Sequence, residues 1–134
     1  MTGPPVEIHL KDGAIPYKAQ TAVSVPLHWQ EAIKEQYSRD ESLGVLERPP
    51  PDDNIDWCFR EVYSAKTNGE PRRTVDYRPL NRWVKRDAYA TESPFHVVRR
   101  IPDQSWKTVT DAWNGYHLIP LHKNSRKFTN FLSM

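Results

Sequence analysis

The sequence predicts a mixed α+β fold with antiparallel strands, a β-hairpin and two or three helices. Three observations carry that expectation. Residues 27–43 place Trp29, Ile33 and Tyr37 four apart, the spacing of one helix face. Asn68-Gly69 stands between two β-prone runs, 57–66 and 73–77, and is the strongest short signal for a hairpin turn. The 12 prolines in 134 residues divide the rest into short segments that no long helix can cross.

Taken in order, residues 1–25 read as extended chain with turns, Asp12-Gly13 marking one turn and Pro16 and Pro26 barring helix. Ser24 or Val25 caps the helix over 27–43, with Pro26 in its first turn. Gly44 followed by Val45 supplies a left-handed stop with its hydrophobic contact. The Trp29, Ile33 and Tyr37 stripe reads as the face that packs this helix onto the body. Residues 48–54 contain Pro49, Pro50 and Pro51 in a row and form a loop or stiff linker. Beyond the hairpin, 81–91 is a polar connector, and Ser93 caps a short helix over 95–100 with Pro94 at its first position. The β-formers of 106–110 and 127–132 predict two further strands.

Composition narrows the function classes. A hydrophobic fraction of 37% is low for a self-contained domain and suits a piece of a larger protein. The single Cys58, beside Trp57 and Phe59, excludes an intramolecular disulfide and reads as a buried strand residue. His9, His28, His96, His117 and His122 follow no metal-ligand spacing, which argues against zinc. No apolar run approaches the ~18 residues of a membrane span, and the N-terminus lacks a signal peptide's apolar core. The expectation is an intracellular chain, cytoplasmic or nuclear, with no membrane partner.

The net charge of +2 conceals an asymmetry. Residues 1–65 carry 6 Lys/Arg against 11 Asp/Glu, whereas 66–86 carry 7 against 2. A positive band of that kind is the footprint expected for a polyanion, although a solvated face gives the same count.

The stretch TVTDAWNGYH, residues 108–117, is the most informative. It sets a carboxylate, Asp111, at the end of a β-prone run, then a tight Gly turn, then Tyr116 five residues after the acid. A strand end holds a carboxylate still, where it can share a divalent metal with a triphosphate. The turn brings backbone N–H groups toward phosphates, and a ring can lie beneath a sugar. Taken alone, such an Asp is more often a turn or cap residue and such a Tyr a half-buried core aromatic. Upstream, PRRTVDYRPLN at 71–81 is rich in Arg. Basic groups near a hairpin tip can close over a triphosphate, and an Arg fork matches two phosphate oxygens or stacks on a base.

Together the two blocks resemble the fingers and first palm motif of the reverse transcriptases of gypsy-like long-terminal-repeat retrotransposons. The resemblance runs from about Pro16 to Phe131 and keeps the family order: LGVLERPPP, the strand-hairpin pair, VDYRPLN, SPFH and TVTDAWNGYHLIPL. It implies an extended segment over 1–25 and, over 26–134, reverse-transcriptase-like fingers with the first palm motif. It implies RNA-directed DNA polymerase chemistry, nucleotidyl transfer with Mg²⁺ (or Mn²⁺), with RNA/DNA template–primer and dNTP as partners. Asp111 would be catalytic and a metal ligand, with the backbone of Ala112 beside the same metal. Trp113, Asn114, Gly115 and Tyr116 would meet the dNTP, Tyr116 excluding a ribose 2′-OH because a ring packed under C2′ leaves no room for an extra oxygen. Arg72 would grip the incoming nucleotide, with Lys66 beside it. Arg73, Arg78, Arg82, Lys85 and Arg86 would face nucleic acid, Arg78 pairing with a local carboxylate or the template backbone.

Two departures from the family stand out. Ala65, Lys66 and Thr67 replace the usual two or more Lys before the turn, which weakens the triphosphate grip. The Tyr-x-Asp-Asp turn that carries the other metal carboxylates does not occur before Met134, and Asp52-Asp53 lies in the proline loop. Each Mg²⁺ needs most of an octahedron of oxygens, so the isolated chain is expected to lack polymerase activity. The reading is a fragment that works with the remainder of a polymerase or polyprotein. A non-catalytic nucleic-acid-binding module derived from a retroelement is the alternative. A third is an interaction protein in which Trp29, Tyr37 and their apolar neighbours dock a partner.

Overall fold

The computed structural model describes residues 3–86, 90–112 and 115–134. The long helix α1 spans Gln30–Ser42 and is led by a 3-10 turn at Leu27–Trp29. Pro26 precedes that turn, as its fixed φ and missing N–H favour. The helix ends as its sequence requires: Gly44 takes φ +67, its N–H reaches the Glu41 carbonyl at 3.0 Å, and the Val45 N–H reaches the Asp40 carbonyl at 2.9 Å. This pair of bonds is the Schellman stop, and it occupies carbonyls that a helix end otherwise leaves unpaired. Ile33 is buried on the helix face that packs inward, and Trp29 and Tyr37 are half-buried on it.

Strands β1 (Phe59–Ala65) and β2 (Pro71–Val75) form the expected hairpin, with Val62 opposite Thr74 and Ser64 opposite Arg72. The third strand, β3, is short, Phe131–Leu132, and lies parallel to β1 to give the order β2-β1-β3. The sheet is therefore mixed, where all-antiparallel strands were expected. The cause is topological: β3 returns to the free edge of β1 from the same end at which β1 begins, with Phe59 beside Phe131.

Short helices α2 (Arg78–Asn81), α3 (Pro94–Arg99) and α4 (Lys123–Arg126) complete the regular structure with a 3-10 turn at Gly115–Leu118. Ser93 and Pro94 stand at the start of α3 as the sequence indicates. Two strand expectations are corrected. Residues 106–110 are not a strand, for the described sheet brings no neighbour beside them and β-formers need a ladder partner to bury their backbone groups. Of 127–132 only the last two residues pair, because α4 and a following turn occupy the preceding chain.

The core is aromatic and lies under the hairpin base. Trp57, Phe59 and Leu80 are buried, packed by Leu10, Ala14, Val75, Tyr77, Trp83, Val84, Phe128 and Phe131. Phe59 stacks on Tyr17 with centroids 5.6 Å apart and meets Tyr77 edge-on at 5.1 Å, the offset and T-shaped geometries that aromatic rings favour. Burial raises the Tyr77 pKa to about 12, so its hydroxyl stays protonated and donates to the Thr129 carbonyl at 2.9 Å. The N-terminal segment is woven in by single bridges, Val6 to Leu121, Leu10 to Val84 and Lys18 to Cys58, so it belongs to the body. The connector 81–91 is less polar in effect than its composition implies, since Trp83 and Val84 join the core. Its residues 87–89 lie outside the described part. Cys58 is buried, as its aromatic neighbours indicate. Among the described residues no helix is long and apolar enough to cross a membrane.

Removing the Phe59 ring is expected to cost about 3–5 kcal/mol in chemical denaturation, the range for a fully buried aromatic truncated to Ala. Trp106→Ala, at a fully exposed position, is expected to stay within about 0.5 kcal/mol of the parent. Equal effects at the two positions would contradict this placement of the core.

Candidate functional site

The hairpin tip is built by local chain chemistry. The Gly69 N–H donates to the Lys66 carbonyl at 2.9 Å and the Lys66 N–H to the Glu70 carbonyl at 2.8 Å, with Gly69 at φ +81. This is a three-residue hairpin loop closed by a left-handed glycine, a conformation that any side chain at 69 would strain. Asn68 tightens it by accepting the Glu70 N–H on Oδ1 at 3.1 Å. Beside the tip, Ala65, Lys66, Thr67, Asn68, Glu70 and Arg72 line an open groove of about 380 Å³. Lys66 pairs with Glu70 at 3.1 Å. Asn68 hydrogen bonding and the Lys66 ammonium together hold the Glu70 carboxyl below its usual range. Lys66 is therefore partly neutralised from within, whereas Arg72 has no carboxylate within ion-pair distance among the described residues.

Strand pleating separates Arg72 from Arg73, because successive side chains point to opposite faces. Arg72 and Thr74 lie on the exposed face of β2, where Val62 and Ser64 lie on β1. Arg73 turns inward, which corrects its expected place among the nucleic-acid contacts. Its side chain is 11% exposed and its Nη2 donates to Asp40 Oδ2 on α1. Its Nη1 faces Glu61 Oε1 at 3.8 Å, and its Cζ sits 4.0 Å from the centre of the Tyr37 ring. The other Glu61 oxygen accepts the hydroxyls of Tyr37 and Tyr63, the latter at 2.6 Å. Burial, and then hydrogen bonding to Glu61, raises the pKa of both phenols, so both remain donors. Sequence reading missed this cluster, although its signals were there. Glu61 alternates with Phe59 and Tyr63, and Asp40 continues the helix face of Ile33 and Tyr37 at i+3.

Arg78 opens α2 and clamps Asp76 with a two-point fork, Nε to Oδ1 at 2.8 Å and Nη2 to Oδ2 at 2.7 Å, while its own N–H adds a third bond at 3.1 Å. The expected local carboxylate is thus Asp76. Most of the Arg78 side chain remains in solvent. Arg82, Lys85 and Arg86 follow on the surface. Lys11 donates to the Arg82 carbonyl at 2.9 Å and the Lys85 N–H to the His9 carbonyl at 2.8 Å, so the N-terminal segment holds this basic stretch in place.

Asp111 and Ala112 are exposed and follow an irregular run where a strand end was expected. A Cβ on Gly115 would stand 3.1 Å from the Ala112 Cβ, closer than ordinary van der Waals contact. Tyr116 lies in the 3-10 turn with its side chain in solvent. Trp113 and Asn114 fall outside the described residues. Among the described residues no group of three His, Cys, Asp or Glu converges on a point. One Asp111 carboxylate offers at most two of the six or so oxygens that Mg²⁺ takes, so it cannot complete a divalent site by itself.

The chain shares its fold with part of a foamy viral protease–reverse transcriptase solved in complex with double-stranded DNA. The TM-score is 0.78 at 20% identity, over 98% of this chain and 26% of that one. Two viral polyproteins match in sequence. The enzymatic polyprotein of soybean chlorotic mottle virus is 21% identical over 126 residues, and the Gag-Pol polyprotein of walleye dermal sarcoma virus is 28% identical over 130. Each match takes in 94% of this chain but only 18% and 7% of the respective polyprotein. No family model matches.

The Asp76–Arg78 clamp sets a pH dependence. The Arg78 side-chain fork, then its N–H, lowers the Asp76 pKa to about 2. A folded pKa below the unfolded value contributes stability that is complete above about pH 4 and lost as the pH falls toward 2. A carboxyl ¹³C titration is expected to give a midpoint near 2 for Asp76, and Arg78→Ala should raise it part of the way to the ordinary carboxylate value, because the backbone N–H of residue 78 still donates to Asp76. A midpoint unmoved by that substitution would contradict the clamp.

Proposed function

We propose that this chain is the fingers and opening palm of an RNA-directed DNA polymerase from a retroelement polyprotein, of the gypsy-like long-terminal-repeat lineage. The observation that carries the reading is the outward Arg72 on a hairpin whose fold is shared with the foamy viral protein over nearly the whole chain. In this role Arg72, with Lys66, meets the triphosphate of an incoming dNTP, and Arg78, Arg82, Lys85 and Arg86 meet template–primer phosphates. Asp111 and the Ala112 backbone contribute to a divalent-cation site whose remaining carboxylates come from elsewhere in the polymerase. Gly115 and Tyr116 form the sugar-facing turn. Their exposure suits a surface that further polymerase segments cover: Phe95, Val98, Trp106, Val109 and Tyr116 all stand in solvent, more apolar area than isolated surface residues account for.

Binding dominated by phosphate contacts falls steeply with salt. A labelled template–primer is expected to bind the chain with log K declining linearly in log[salt], by roughly 0.7–0.9 per phosphate neutralised. Lys85→Ala with Arg86→Ala should flatten that slope by about two contacts. Arg72→Ala should instead weaken dNTP binding and leave the template–primer slope nearly unchanged. Salt-insensitive binding, or none, would refute the reading, as would an Arg72→Ala variant that holds dNTP as tightly as the parent.

A further inference from the structure

The buried Arg73 cluster is structural by location, yet its geometry acts on a residue it does not touch. Arg73 is held on three sides: by Asp40 of α1 at Nη2, by Glu61 of β1 near Nη1, and by the Tyr37 ring across its face. Nη1 itself is buried and finds no hydrogen-bond partner. Asp40 and Tyr37 belong to the helix, whereas Glu61, Tyr63 and Arg73 belong to the hairpin, so the cluster spans their junction. Among the described residues, the other side-chain hydrogen bond across this junction is Gln36 Nε2 to the Pro71 carbonyl at 3.3 Å. The strand alternation then makes Arg72 the mirror of Arg73: whatever fixes the inner side chain fixes the direction of the outer one.

We propose that Arg73, clamped by Asp40 and Glu61, is a positioning residue that sets the pitch of the hairpin against α1 and so aims Arg72 at its anionic ligand. This rests on the nucleotide-binding reading given above. A guanidinium is suited to the task because its flat fork addresses two carboxylates while its face lies on a ring, which an ammonium cannot do. Arg39, whose Nε is 3.6 Å from Asp40 Oδ1, is largely in solvent and sits on the same helix, so it cannot substitute across the junction.

The sign of one substitution separates aiming from simple electrostatics. Asp40→Ala removes a negative charge, and a field effect alone would tighten binding of any polyanion. If Asp40 holds Arg73, and through it Arg72, the same change weakens binding. Titration of the 134-residue chain with Mg²⁺·dTTP is expected to show about a tenfold loss of affinity for Asp40→Ala, because small misplacement of a positioned group costs affinity disproportionately. Asp40→Asn, which keeps the shape and an acceptor oxygen, should lie between that variant and the parent. Equal or tighter binding by a variant that retains the parent's circular dichroism would overturn the proposal.

A second measurement stands apart from nucleotide binding. Spin labels at residue 68 on the hairpin tip and residue 31 on α1, in a Cys58→Ser background, report the pitch directly. The parent should give one narrow distance distribution, and Asp40→Ala or Asp40→Asn a broadened or shifted one. An unchanged distribution in both variants would overturn the proposal even where dTTP binds. A shifted distribution in a chain that binds no dTTP would uphold the positioning and refute the nucleotide reading alone.

Discussion

The burial of one guanidinium organises this molecule. Withdrawing Arg73 from water costs several kcal/mol, and the return comes only if charge and geometry are matched around it. Asp40 and Glu61 supply the charge, Tyr37 a ring face, and the phenols of Tyr37 and Tyr63 satisfy the Glu61 oxygen that Arg73 does not face. Such a cluster contributes less to net stability than hydrophobic groups of the same volume would. What it supplies is uniqueness, since no other register of β2 leaves Arg73 paired and Arg72 in solvent. A one-residue slip would exchange them, turning Arg73 out to solvent and Arg72 in toward Asp40 and Glu61.

Around this junction the chain divides by how it is held. Residues 57–84 rest on aromatic packing, with Phe59 at the base of β1 and Glu61 two residues along the same face. Apolar anchoring at one end and polar clamping at the other give the hairpin two fixed points, and its tip projects beyond both. Residues 94–112 and 115–119 lack comparable support, because α3 buries none of its residues and 106–112 join no sheet. The Arg-rich block is therefore preorganised within this chain, whereas the Asp111 block carries its local Gly115 turn without a strand to hold the acid. Under the polymerase reading, triphosphate grip and template contact are encoded here, while rigid metal binding depends on neighbouring segments.

Much of this was legible in the residues. Helix α1 followed from Trp29, Ile33 and Tyr37 and its end from Gly44, and the hairpin followed from Asn68-Gly69, because each signal is local. The strand expected over 106–110 failed for the opposite reason: β propensity reports fitness for a sheet and not the presence of a partner strand. The parallel β3 was beyond local reading, since nothing in Phe131–Leu132 records which edge or direction it meets. The inward turn of Arg73 does not show in a band of basic residues read along the chain. The period-2 alternation of FREVYSA and PRRTV already separates Arg72 from Arg73, and a charge count discards that information.

The most direct measurement is arginine side-chain ¹⁵N NMR of the unmodified chain. Arg73 Nε–H should exchange slowly with water, and its guanidinium rotation should be hindered by two carboxylates and a ring. Arg72 should exchange as fast as a free arginine. Equal, rapid exchange at both positions, or protection at Arg72 in place of Arg73, would contradict the buried clamp and the outward aim that depends on it.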